Sequence, residues 1–205
     1  MLHTLLQCDT QLFIFINSLA GHSAVLDHFM KLVSQYGPLA FLLVFAALWF
    51  KGSSPQKQFE NRIFVMLAVL GTALALAIGT GLGTLWFRPR PFTVLAVTQL
   101  LPHAANASFP SNHAVGCFAL AAAGLKYSRK LGTPLLVLAA LVAISRPYVG
   151  VHYPLDVLAG AALGWITMTQ VYKARAALRR TATLLVYCCE WLGEHFPGLR
   201  TLQKR

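Results

Sequence analysis

Apolar and polar positions along this chain fall into blocks. Residues 32–50 lie between Lys31 and Lys51, and residues 63–87 lie between Arg62 and Arg88, with no charge inside either block. Each is long enough for the roughly 20 apolar residues that a bilayer-crossing helix needs. Shorter apolar blocks at 110–125, 131–145 and 154–172 reach that length if the polar residues at their ends form the outer turns. Three polar islands stand at those ends: FRPRP at 87–91, FPSNH at 109–113 and SRPYVGVHYPLD at 145–156. The pattern predicts an all-α, polytopic transmembrane helix bundle. A further block at 11–26 is apolar, but Gly21, His22, Asp27, His28 and Lys31 interrupt the stretch up to Tyr36. As a span it gives six crossings with both ends on one side; as a short helix in the outer interface it gives five. Six is the expectation.

Composition points the same way. The chain of 205 residues is 57% hydrophobic and only 11% charged, against about 25% charged in ordinary soluble domains. Its net charge of +11 is distributed by side. Lys51, Lys57, Arg62, Lys126, Arg129, Lys130, Lys173, Arg175, Arg179, Arg180, Arg200, Lys204 and Arg205 fall on one side if the spans alternate, and only Lys31, Arg88, Arg90 and Arg146 on the other. The positive-inside rule puts the larger group in the cytoplasm and the islands outside. Topology thus accounts for the basic charge, and no nucleic-acid partner is expected. No basic residue precedes Lys31, so a secretory signal is not expected. Cys8, Cys117, Cys188 and Cys189 show neither metal-binding nor disulfide spacing, which leaves filling of apolar helix faces. Residues 1–180 are expected to form one transmembrane domain, and residues 181–205 a cytoplasmic amphipathic tail lying in the plane of the anionic leaflet or disordered.

The islands carry the chemistry. His152 and Asp156 are four apart, so a helix beginning near His152 stacks them on one face. A carboxylate beside an imidazole fixes its tautomer and stabilises its cation, which prepares a nucleophilic or general-base histidine. The planar fork of Arg146 suits two phosphate oxygens. Pro110 and Ser111 before an apolar run read as a helix start, whose free N–H groups bind anions. Ser111 offers a hydroxyl, Asn112 an amide or backbone donor, and His113 a proton for a leaving group. Arg88 and Arg90 end a long apolar block, where prolines 89 and 91 stop the helix; arginines at this depth also serve as interface anchors. Singly each island is a weak signal, but the ordered set at one membrane face is specific.

These residues resemble the type 2 phosphatidic acid phosphatase superfamily, whose pattern is Lys-x6-Arg-Pro, Pro-Ser-Gly-His and Ser-Arg-x5-His-x3-Asp. The third motif is present in full at Ser145, Arg146, His152 and Asp156, the second at Pro110, Ser111 and His113, and the first at Arg90 and Pro91. The resemblance covers residues 63–172. Asn112 replaces the usual glycine, and Gly83 stands at the lysine position. Arg88 is the candidate replacement for that lost phosphate-binding charge. The stretches LPHAANASFPSNH, RPRPF and VGVHYPLDV resemble the bacitracin-resistance branch of undecaprenyl-diphosphate phosphatases. The resemblance implies that His152 is the nucleophile, that Asp156 orients it, and that Arg90, Ser111, Asn112 and Arg146 hold phosphate oxygens. It implies further that His113 protonates the leaving lipid phosphate and then activates water, and that His103 handles a second phosphate. Neither metal nor cofactor is implied, since arginines and N–H groups supply the electrostatics.

The expected activity is hydrolysis of a polyprenyl diphosphate, undecaprenyl diphosphate, to the monophosphate at the outer face of a bacterial inner membrane. Other readings remain open. They are a phosphatase for phosphatidylglycerol phosphate or diacylglycerol pyrophosphate, a phosphotransferase acting on lipid A, a zinc site at His113, His152 and Asp156, and a non-catalytic scaffold.

Overall fold

Serines start three of the long helices in the computed structural model, which describes residues 2–195. Ser23, Ser54 and Ser128 are extended, and their hydroxyls accept the N–H groups of Leu26, Lys57 and Leu131, satisfying donors that the first helical turn leaves free. Proline takes the first helical position after Ser54 and after Tyr153, where its missing N–H would have been unpaired anyway. The helices in order are α1 (Leu2–Asn17), α2 (Ala24–Phe50), α3 (Pro55–Leu85), α4 (Pro91–Val94), α5 (Asn112–Tyr127), α6 (Arg129–Tyr148), α7 (Pro154–Lys173) and α8 (Arg175–His195). No strand occurs among the described residues. Three of them, α2, α3 and α6, are long and apolar enough to cross a membrane by length and composition.

The bundle is built round α5. Its Ala114, Val115, Cys117, Ala119, Ala121, Ala122 and Ala123 are buried, and α3, α6 and α7 pack on it. Small residues let backbones approach, the packing that serves helices in lipid. A Cβ on Gly164 of α7 would lie 2.1 Å from the Val115 carbonyl oxygen, and one on Gly160 would lie 2.6 Å from that of Ser111. Phe41 and Phe45 of α2, Ala75 of α3, Leu135 and Val142 of α6 and Met168 of α7 complete the core.

The first helix departs from the expectation of six spans. Asp9, Phe13 and Asn17 form an i, i+4, i+8 stripe on α1, and all three are buried. Asp9 Oδ1 accepts the Leu155 N–H at 2.8 Å, and the Phe13 ring meets Tyr153 edge-on at 5.4 Å. Asn17 Nδ2 donates to the carbonyls of Thr98 and Tyr148, both at 2.9 Å. Every partner lies at the island end. Eight residues of helix cover about 12 Å, so this segment of α1 is laid across that end. The block expected at 11–26 is broken by the turn after Asn17, and six spans are not confirmed. Away from that stripe α1 exposes Leu12, Ile14 and Phe15, which suits an interfacial helix.

At the opposite end α8 packs on α3 through Ile63, Leu67, Ala182 and Val186. Arg62 pairs with Glu190, and Arg179 with Glu60. The boundary expected at residue 180 therefore falls inside one helix. The last part of the expected tail, 196–205, lies outside the described residues.

Candidate active site

The three islands meet at one end of the bundle. Ser145 and Arg146 sit in the last turns of α6, whose chain then turns at Gly150 with φ +86°. His152 follows in the loop. The helix does not begin near His152: Pro154 opens α7, and a residue before proline is pushed out of the helical region, as Tyr153 is at φ −78°, ψ 155°. His152 thus precedes the helix. Its Nδ1 lies 3.7 Å from Asp156 Oδ2, an ion-pair distance that is too long for a hydrogen bond. Ser108 fills the gap. Its hydroxyl donates to Asp156 Oδ2, and its oxygen is 3.4 Å from His152 Nδ1. Asp156 Oδ2 also accepts the Tyr153 N–H at 2.9 Å.

The far side of the imidazole meets arginine. Arg90 Nη1 is 3.1 Å from His152 Nε2 and donates to the Val151 carbonyl at 2.8 Å. Its Nε and Nη2 donate to Asn106 Oδ1 at 3.0 and 2.9 Å, and Nη2 also reaches the Ala107 carbonyl. With Nδ1 turned to Ser108 and Asp156, and Nε2 to a cation, the contacts favour the neutral ring protonated on Nδ1. Burial, reinforced by the charges of Arg146 and Arg90 and only partly offset by Asp156, pushes His152 down to about 4. Burial also lowers Arg90, to about 10, which leaves it charged at neutral pH.

Ser111 caps α5 without a side-chain capping bond, and Asn112 and His113 occupy the first helical positions. The Ser111 N–H donates to the Asp156 carbonyl oxygen at 2.9 Å, so the second and third islands are joined by backbone. Ser111 Oγ and Arg146 Nε are buried without a protein partner. Arg146 Nη1 donates to Ser34 Oγ of α2 at 2.5 Å. An unmet buried polar group is destabilising by about 1–3 kcal/mol, so two of them in the motif positions fit a site made for a ligand with acceptor and donor oxygens. His113 and Asn112 stand at the wall of an apolar cavity of about 320 Å³ between α2, α3 and α5, lined also by Phe41, Leu42, Leu76 and Leu120. His103 lies edge-on to His152, ring centroids 6.1 Å apart, with its Nδ1 3.1 Å from the Ala104 carbonyl; burial lowers its pKa.

Arg88 does not take the place expected for it. Its Nη1 donates to Asp156 Oδ1 at 2.8 Å and its Nη2 to Asp9 Oδ2 at 2.6 Å, and its guanidinium lies 3.8 Å from the Tyr153 ring centroid. The fork is spent on two carboxylates, so it does not substitute for a phosphate-gripping lysine at Gly83. Gly83 itself packs against the Phe109 carbonyl, 3.0 Å from where a Cβ would stand. Asp9, Ser34, Asn106 and Ser108 were not singled out from sequence. Ser108 and Asn106 lie within a few residues of the second island, and that closeness was the available signal. Asp9 and Ser34 carry no local signal at all.

A sequence model of the PAP2 superfamily matches residues 64–180. The chain belongs to the PAP2 superfamily. It is 35% identical over 176 residues to a protein of Bacillus subtilis (strain 168) named undecaprenyl-diphosphatase BcrC, covering 86% of this chain and 89% of that one. Among solved structures, Aquifex aeolicus LpxE superposes with a TM-score of 0.66 at 27% identity, over 80% of this chain and 94% of that chain. A transmembrane PAP2-type phosphatidylglycerolphosphate phosphatase from Bacillus subtilis also gives 0.66, at 20% identity over 85% and 88% of the two chains, a likeness of fold. The PAP2 match begins at residue 64, so α1 and α2 lie outside it.

Proposed function

We propose that this PAP2 lipid phosphatase hydrolyses undecaprenyl diphosphate to undecaprenyl phosphate and inorganic phosphate through a phosphohistidine on His152. The observation that carries this is the grouping of His152, Arg90, Arg146 and the unpaired Ser111 hydroxyl at the island end, beside a His113 that stands at the wall of an apolar cavity. A phosphate sits among the cations, and the chain it is attached to leaves along carbon-lined walls. The likeness to BcrC supports a diphosphate of a polyprenol as the substrate.

In this mechanism the Nε2 lone pair of His152 attacks the terminal phosphorus. The bond from that phosphorus to the bridging oxygen breaks, and His113 gives its proton to the departing lipid phosphate. His113 then takes a proton from water as the water oxygen attacks the same phosphorus, and the N–P bond breaks to release phosphate. Arg146, Ser111 and Asn112 hold the equatorial oxygens where charge gathers in phosphoryl transfer. Arg90 supplies charge beside Nε2, and His103 meets the second phosphate. Asp156, through Ser108, stabilises the positive charge that forms on His152. Arg88 acts behind Asp156. The distribution of basic residues supports a site on the outer face of a bacterial cytoplasmic membrane, with α8 on the inner side.

The test is phosphate release by the purified chain in detergent with chelator present, offered undecaprenyl diphosphate, phosphatidylglycerol phosphate and phosphatidic acid. Release that favours the diphosphate, and that falls by at least about a thousandfold in His152→Ala, is expected for loss of a nucleophile. Preference for another lipid overturns the substrate, and full activity in His152→Ala overturns the mechanism.

A further inference from the structure

We propose that Asp9 is a positioning residue of the catalytic centre: by sharing the Arg88 guanidinium with Asp156, it sets how strongly Asp156 stabilises positive charge on His152. This rests on His152 being the nucleophile.

Asp9 belongs to α1, outside the superfamily match and outside all three islands. Its side chain is 1% exposed, that of Asp156 is 0% and that of Arg88 between them is 14%. Both Asp9 oxygens are used: Oδ2 accepts from Arg88 Nη2, and Oδ1 accepts the Leu155 N–H. That N–H is the first of α7, since Pro154 has none, and Tyr153 at the N-cap makes no side-chain capping bond. Asp9 therefore caps α7 from another helix, where a negative charge is favoured.

The charge balance gives the arrangement its effect. Arg88 and Asp156 alone would form a closed, neutral pair, and a carboxylate so matched has little left for an imidazole. With Asp9 the three groups carry a net single negative charge, and Asp156 Oδ2, which accepts the Ser108 hydroxyl and the Tyr153 N–H, is the oxygen on the His152 side. As Nε2 bonds to phosphorus the ring becomes cationic, so this residual charge acts when it is needed. The groups acting on His152 from other directions are Arg90, Arg146, His113 and His103. None is a carboxylate. The Asp9–Arg88–Asp156 set is thus the source of negative charge among the groups that act on the ring. Asp9 itself faces Arg88 and the Leu155 N–H, and Arg88 in turn lies over the Tyr153 ring.

The experiment uses the full chain in detergent, with the parent, Asp9→Asn, Asp9→Glu and Asn17→Ala. Two quantities are read: kcat and KM for undecaprenyl diphosphate across pH, and the His152 midpoint by NMR titration, assigned against His152→Ala. Asp9→Asn is expected to lower kcat about tenfold with KM little changed, and to lower the His152 midpoint by about one pH unit. Asp9→Glu restores both in part. Asn17→Ala loosens the other end of α1 and leaves the midpoint where it was. A kcat within twofold of the parent together with a His152 midpoint within about 0.3 pH unit of it in Asp9→Asn would overturn the proposal. So would Asn17→Ala reproducing both shifts, since α1 would then act by packing alone. The titration needs no turnover, so it still decides the coupling if His152→Ala proves active and the mechanism fails.

Discussion

At the island end an arginine lies between two carboxylates whose side chains are 1% and 0% exposed. At the opposite end Arg179 pairs with Glu60, and these side chains are 52% and 42% exposed. The partners are of the same types and the bonds of similar reach. At the exposed end water competes for both ions, and salt screens them, so the pair holds α8 on α3 only weakly. At the buried end each charge has lost its water and depends on its partner, so geometry there is tightly specified and the electrostatic effect is carried to His152. Burial, more than the identity of the pair, decides whether an ion pair shapes chemistry or merely decorates a surface.

That contrast can be broken at its strongest point first. His113→Ala leaves the buried charges in place and removes only the acid of the proposed mechanism. It is expected to lower kcat about 10²–10⁴-fold, read as phosphate release. Loss confined to KM would show that His113 merely binds.

A smaller effect follows from acid. His152 is folded in its neutral form with its pKa pushed down to about 4, whereas an unfolded histidine titrates near 6.5. Below about pH 6.5 the unfolded chain takes up a proton that the folded chain refuses until about pH 4. Stability therefore falls as pH drops through that window. Thermal unfolding in detergent should show the decline between pH 7 and 4.5, flatter in His152→Gln; an equal slope in both would place its origin elsewhere. The smallest effect is expected at the exposed end. Arg179→Ala should change stability by less than about 1 kcal/mol and leave turnover unaltered, measured by unfolding midpoint and phosphate release. A large loss would mean that α8 is coupled to the site.

The helices and most of the site were legible because their signals are local. Charge-free blocks mark α2 and α3 whatever surrounds them, and the islands bring His152, Asp156, Arg146, Ser111 and His113 within short stretches of chain. What was missed depends on partners distant in sequence. Asp9 meets Leu155 across 146 positions and Arg88 across 79, and Asn17 meets Tyr148 across 131. From its own composition α1 looks like an imperfect span, and only the contacts of its buried stripe lay it across the end. The fate of Arg88 was hidden for the same reason. The His152–Asp156 spacing was read as helical, although Pro154 starts the helix two residues after His152.

Gly160 and Gly164 leave no side chain between α7 and the backbone of α5. A bilayer that thickens or thins tilts the helices within it, and most helix contacts slide a little as their side chains readjust. Here main chain rests on main chain, and the Ser111 amide is fastened to the Asp156 carbonyl above the contact. The starts of the two helices are thereby joined, and the spacing of His113 from His152 is expected to change little with the thickness of the membrane around them.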